Sequence, residues 1–389
     1  MRKLMIAILA LLLQSASASA QEPDFNVIAR IIVTKAAEVE PGEVVLIRGS
    51  TDSLEIFESL VAETIIAGGL PIPVIEFSEA SRRGMQEAPI EYLRQEHAGD
   101  LALVEVVDVY IHVTPGLTPQ RSWAGIPLER RNATQEGRSS YFDAVGASSH
   151  REVYVGQSSG VPTIGFAEFI GADFEEMEGV FWRAVSVTPE EHENVGARVA
   201  DSMAPGAEVH LTSPEGTDLT FVLSNEPGRI NTGRVSEIVS ENGPVEAVLP
   251  AGEFSACVDP TSANGVVVAP VFTFRLREEV VGLTLRFKDG IVTDVSYESG
   301  GESLREFLLS VEKPSLALSL VSIGLNPESR ILQGSTYRSW EMSGMVTVFL
   351  GDNTLYDCGH VANFRLHPHI EGLTLTADGK QVVKGGDVL

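Results

Sequence analysis

The hydrophobic positions change period along the chain. From Phe25 to Glu40 the apolar residues Val27, Ile28, Ile31, Ile32 and Ala36 fall at helical spacing, and Pro41-Gly42 stops the helix. The compact apolar run EVVLIRG (43–49) reads as a buried strand, and Ser50, Thr51 and Asp52 offer N-caps for a helix over 53–67. Further strands are expected at PIPVIEF (71–77), DVYIHVT (108–114) and VPTIGFA (161–167). Strands alternating with helices predict an open, mostly parallel sheet with helices on its faces, an α/β domain over residues 21–190. A helical stretch at 188–203 then leads into a second regime. Short β-branched runs (AEVHLTS, DLTFVLS, VEAVLPAGE, GVVVAPVF, VGLTLRF, IVTDVSYE) alternate there with turn residues. They predict a mainly antiparallel β (α+β) domain over 191–389, with one helix near 302–312.

Length supports the division, because 389 residues exceed what one hydrophobic core organises. The net charge of −26 argues against a nucleic-acid partner and against docking on an anionic membrane, both of which need a basic surface. Residues 1–20 (MRKLMIAILALLLQSASASA) have a basic start, an apolar run too short to span a bilayer comfortably, and the small residues Ala18-Ser19-Ala20. That pattern predicts a signal peptide and an exported protein, periplasmic or secreted. Export makes Cys257 and Cys358 candidates for a disulfide; two free thiols fit the sequence equally well.

Candidate chemistry begins at NFRLHPHIEG (363–372). Residues i and i+2 of an extended segment share a face, so His367 and His369 can present both imidazoles to one ion. Pro368 between them lacks an N–H, which places the segment at a sheet edge or at a strand end. The competing reading is two ordinary hydrogen-bonded histidines. Glu253, in VLPAGEFSAC (248–257), follows a Pro-Ala-Gly turn at the end of an apolar strand, a placement that aims a carboxylate into a cleft.

Seven stretches together carry a family resemblance: EPGEVVLIRGS (40–50), SPEGTDLTFVLS (213–224), LPAGEF (249–254), GESLREFLLS (301–310), IGLNP (323–327), GMVTVFLGDN (344–353) and NFRLHPHIEG. The mature chain resembles the M29 (aminopeptidase T) metallopeptidases. The resemblance implies two metal ions bridged by glutamates and held by a histidine and a His-x-Asp pair. Carried over by position, the first glutamate is Glu253 and the first residue of His-x-Asp is His367. Its aspartate is replaced by His369, the glutamate before the Gly-x-Asn-Pro motif by Leu320, and the family histidine by Thr347. Leu320 cannot ligate, and Thr347 is a poor ligand for zinc or cobalt. A two-metal peptidase mechanism is therefore not expected. Glu253, His367 and His369 retain the composition of a mononuclear iron or open zinc site, so the expected cofactor is one divalent ion, Fe(II) or Zn(II). The chain is also similar to the dihydroxypyridine ring-cleaving dioxygenases, an M29-like branch that uses one iron. The relatives further imply a homodimer.

Other residues join the site only as candidates. Asp357, Cys358 and His360 of YDCGH precede His367 and are possible additional ligands by their place in the alignment, and Tyr356 lies near a family tyrosine. Trp123, Arg130 and Arg131 form a basic spot that could contact an anionic substrate, against a structural ion pair. His97, His112, His150, His192 and His210 read as structural. Three functions follow: a mononuclear-metal enzyme such as a ring-opening oxygenase of a small aromatic or anionic substrate, an aminopeptidase with a rebuilt site acting on peptides, and a degenerate ligand-binding homologue.

Overall fold

The computed structural model describes residues 23–114, 125–156, 160–237, 245–275, 278–356 and 358–389. Residues 1–20, where a signal peptide is expected, Trp123 and Asp357 lie outside the described residues. In chain order the strands are β1 (Val44–Ser50), β2 (Leu70–Glu76), β3 (Val109–Val113), β4 (Arg151–Val155), β5 (Glu208–Thr212), β6 (Asp218–Val222), β7 (Arg229–Asn231), β8 (Val245–Leu249) and β9 (Glu253–Cys257). They continue with β10 (Asn264–Phe274), β11 (Glu278–Lys288), β12 (Ile291–Ser296), β13 (Leu318–Gly324), β14 (Val346–Gly351), β15 (Arg365–Leu366), β16 (His369–Ile370), β17 (Thr374–Ala377), β18 (Lys380–Lys384) and β19 (Asp387–Val388).

The first sheet has the order β2-β1-β3-β4-β8, and every neighbouring pair is parallel. Alternation along its strands sends Val45, Ile47, Val109, Ile111, Val153 and Ala247 to one face. There they bury against Ile28, Ile32, Ile56 and Leu60 of the N-terminal helices and Phe181, Trp182 and Val185 of the helix Phe174–Ser186. The opposite alternation brings together a smaller cluster of Leu46, Val107 and Tyr110 and a polar network. In that network His150 Nε2 lies 2.6 Å from Glu152 Oε1, Ser148 Oγ lies 2.6 Å from His150 Nδ1, and the Tyr154 hydroxyl donates to Glu152. Burial pushes the Glu152 carboxyl up, but His112, His150 and Tyr154 outweigh it and hold the group below the ordinary range. His112 and His150 are thus held in this network beside Glu152.

Two elements differ from the expectation. VPTIGFA is not a strand: Thr163 caps the helix Ile164–Ile170 by accepting from Phe166 N, and the fourth parallel strand is Arg151–Val155. A seven-residue apolar run has no period that separates a strand from a buried helix turn, and the N-cap decides it. VEAVL (245–249), expected in the antiparallel domain, instead closes the edge of the parallel sheet beside β4.

The other strands form two antiparallel sheets, ordered β12-β11-β10-β6-β5-β17-β18-β19 and β15-β14-β13-β9-β7, with β16 also on β14. They enclose one core, to which the first contributes Leu211, Phe221, Val267 and Leu285 and the second Phe254, Val321, Val348 and Ile370. Among the described residues no helix is long and apolar enough to cross a membrane.

The link between the architectures is short. β8 ends at Leu249, the Leu249–Pro250 bond is cis, Gly252 has φ 108°, and β9 starts at Glu253. A Cβ on Gly252 would stand 2.8 Å from the His192 ring, so this turn needs glycine. Asn326 of the IGLNP stretch locks the turn. Its amide donates to Ala184 O at 2.9 Å and Ala251 O at 2.8 Å, and its oxygen accepts from Glu328 N and Ser329 N. Ser329 N keeps the Asn326 carbonyl as an acceptor, so Asn326→Ala takes the side-chain partner from three further buried or half-buried backbone groups and is expected to cost about 3 kcal/mol of stability, read from the denaturant midpoint.

Candidate functional site

Register decides which side chains meet on the far face of the β9-β13-β14 sheet. Ser255 pairs with Ser322, Ser322 with Thr347, and Thr347 with His369, a polar row across four strands. The flanking row runs Cys257, Leu320, Phe349. Residues two apart share a face, so Glu253 joins the same surface. The positions Glu253, Leu320, Thr347 and His369 therefore lie on one face, away from the core, and ring contacts bring His367 to it. β9, β13 and β14 are buried along their whole length, so this face is covered as well.

The imidazoles sit in a group of rings. His367 and His369 have centroids 5.5 Å apart, Trp340 stands 6.1 and 6.4 Å from them, and Phe349 lies 5.8 Å from His367. Pro368 interrupts the strand between β15 and β16, as its missing N–H requires, while its carbonyl accepts from Val348 N. His369 Nδ1 is 2.8 Å from Thr347 Oγ1. Burial lowers the pKa of both imidazoles, His369 to about 3, where the charges of His367 and Arg338 add to the effect.

Glu253 is 4% exposed, and its Oε1 has no hydrogen-bond partner. Burial pushes its carboxyl up to about 7; the Ser322 hydroxyl offsets part of this and Glu341 adds to it. Glu341 went unnoticed in the sequence. It is 7% exposed, it accepts from the hydroxyls of Ser329 (3.1 Å) and Ser339, and burial raises its pKa too. The signal that could have found it is a lone acid in SWEMSG (339–344), between Trp340 and Met342 and directly before the GMVTVFLGDN stretch. A pocket opens beside it, walled by Phe166, Met177, Phe181, Pro250, Leu332 and Met342. It lies where the C-terminal end of the parallel sheet meets the third sheet, the side on which open α/β folds bind ligands.

The remaining candidates divide. Cys257 and Cys358 form a disulfide, which withholds the thiolate that ligation by Cys358 would need. The bridge pins the segment after β14 over the site face, so Tyr356 packs on Phe349 with ring centroids 5.9 Å apart. Burial raises the Tyr356 phenol above its ordinary range, and the Glu253 charge raises it further. In this segment His360 N donates to Asn353 Oδ1, and His360 Nε2 is buried without a partner. Arg130 donates to the backbone carbonyls of Met85 and Ala88. Arg131 lies on the same helix, Leu128–Gly146.

The donor set decides what could be held. Leu320, 1% exposed, fills the middle of the face, and Thr347 hydrogen-bonds the second imidazole. Among the described residues no group of three or more His, Cys, Asp or Glu side chains stands close enough to hold a metal ion. These residues do not fit a two-ion centre. The unpartnered atoms Glu253 Oε1 and His367 Nδ1 remain as donors.

A family model described as thermophilic metalloprotease (M29) matches residues 21–339, stopping short of the two histidines. Among solved structures the chain is similar to wild-type AmpT from Thermus thermophilus, with TM-score 0.63 and 17% identity over 94% of this chain and 98% of that one. It is also similar to 2,5-dihydroxypyridine dioxygenase from Pseudomonas putida KT2440, with TM-score 0.56 and 15% identity over 94% and 96%. Both likenesses are of fold. Comparison with curated proteins gives no match.

Proposed function

We propose, for a chain that belongs to the M29 metalloprotease family, that it is an exported binding homologue without the two-metal peptidase centre. Its ligand, a small molecule or peptide end, enters the pocket between the parallel sheet and the third sheet. The observation that carries this reading is Leu320, buried on the site face at the position where the resemblance expects a metal-bridging glutamate. Thr347, in place of a histidine, gives its hydroxyl to His369 rather than to an ion. The pattern of residues 1–20 supports export.

Elemental analysis of protein purified without chelators tests the proposal, together with release of amino acids from short peptides. The expected result is substoichiometric metal and no release. Two ions per chain with peptide turnover overturns it. A second reading has its own support, because Glu253 Oε1 and His367 Nδ1 are buried and unpartnered. As placed, Glu253, His367 and His369 do not form a ligand group, so this reading requires them to converge on one Fe(II) or Zn(II), which would supply Lewis-acid or oxygen chemistry when bound. One ion per chain, lost in the His367→Ala/His369→Ala double variant, selects this reading over the first.

A further inference from the structure

We propose that the pocket beside Glu341 takes a compact apolar primary amine, with the ligand's ammonium seated on the Glu341 carboxylate. The inference rests on the ligand-binding reading above and names the class of ligand. Its first support is the lining. Phe166, Ile170, Met177, Val180, Leu332 and Met342 offer only apolar surface, so the body of the ligand is hydrocarbon. Its second support is the buried acid in that lining, where Ser329, Arg330 and Tyr337 are the other polar residues. Glu341 is more than nine-tenths buried and its two oxygens each accept one serine hydroxyl, leaving lone pairs for a donor from the ligand.

Charge narrows the donor to a cation. The charge of Glu341 reaches Glu253, itself buried with a free Oε1, and among the described residues neither carboxyl has an ion-pair partner. A buried carboxyl with no protein cation either keeps its proton or lacks a positive partner, and an ammonium on Glu341 supplies that partner. Arg330 also lines the pocket, but its guanidinium is paired with Glu176 at 2.6 Å. It neither neutralises Glu341 nor stands ready for a ligand carboxylate. A neutral alcohol would satisfy a lone pair and leave the charge unmet, whereas an alkylammonium does both.

Calorimetric titration of the full chain with hexylamine, hexanol and hexanoate tests this. The amine is expected to bind at least about tenfold tighter than the alcohol, in line with a charge-assisted hydrogen bond against a neutral one, and hexanoate to show no binding. Glu341→Gln is expected to remove the amine's advantage and leave the alcohol's affinity unchanged. Equal affinities for amine and alcohol, tighter binding of hexanoate, or an amine advantage that survives in Glu341→Gln overturns the proposal. The three-ligand comparison on the unaltered protein decides the case even if the variant does not fold. Failure here with metal-free, peptidase-inactive protein leaves the ligand-binding reading standing. Finding two metals sinks that reading regardless of the titration.

Discussion

Removing the Cys257–Cys358 bridge is expected to lower the free energy of unfolding by about 4–5 kcal/mol. The two cysteines are 101 positions apart and their Cα atoms 5.5 Å apart, so the bridge closes a long loop in the unfolded chain. Chain entropy in that state grows with loop length, and the bridge withholds it from the unfolded ensemble. The Cys257→Ser/Cys358→Ser protein isolates the effect without leaving reactive thiols. Guanidinium unfolding of that variant against the oxidised parent is the measurement. An unchanged midpoint at unchanged m-value would sink the prediction. The consequence reaches the site, because Cys257 stands on the same face as Glu253, and Cys358 anchors the segment that lays Tyr356 on Phe349. Opening the bridge should therefore also raise amide exchange in residues 353–362 before the sheets exchange.

Much of the architecture was legible because it rests on local period. The helix at 25–40, strands 43–49, 71–77 and 108–114, and the helix 188–203 with its Thr188/Glu191 capping box all appear close to where the pattern puts them. The first of these regions begins with α-helix over Phe25–Ile31 and continues as a π-turn over Ile32–Ala36, a change of hydrogen-bond spacing that apolar period does not reveal. What failed was long-range. Nothing in VEAVL announces that its partner is β4 some ninety residues earlier rather than the antiparallel strands around it. The site face was legible only through resemblance. β13 and β14 are buried on both faces, so LSLVSIG and VTVFLG show no alternation that marks Leu320 and Thr347 as neighbours of Glu253. Glu341 was invisible for the opposite reason: a lone acid next to a turn looks solvated until its burial is known.

Replacing Glu253 by glutamine is expected to make the protein more stable at alkaline pH. The carboxyl stays protonated in the fold up to about 7, against an ordinary value of 4.5. Between those values the unfolded chain releases the proton and the folded chain keeps it, so stability falls as pH rises through that window. The full loss amounts to about 3 kcal/mol above the folded value, at about 1.4 kcal/mol per pH unit. His369 works in the opposite direction. Its folded value of about 3 lies below the ordinary value of 6.5, so the unfolded chain gains a proton first and stability falls as pH drops below 6.5. Between 4.5 and 6.5 the two slopes oppose each other, and the native protein should show a flat stability profile there. Glu253→Gln removes one slope. The variant should exceed the native protein by about 3 kcal/mol at about pH 8 and by less than about 1 kcal/mol at about pH 5, in matched denaturant titrations. The same measurement separates the functional readings. A cation near Glu253, either a metal bound to it or an ammonium seated on Glu341, would hold it ionised and invert the result, leaving glutamine the less stable form at high pH. Repeating the titration after exhaustive chelation, and again with added hexylamine, identifies which cation is responsible.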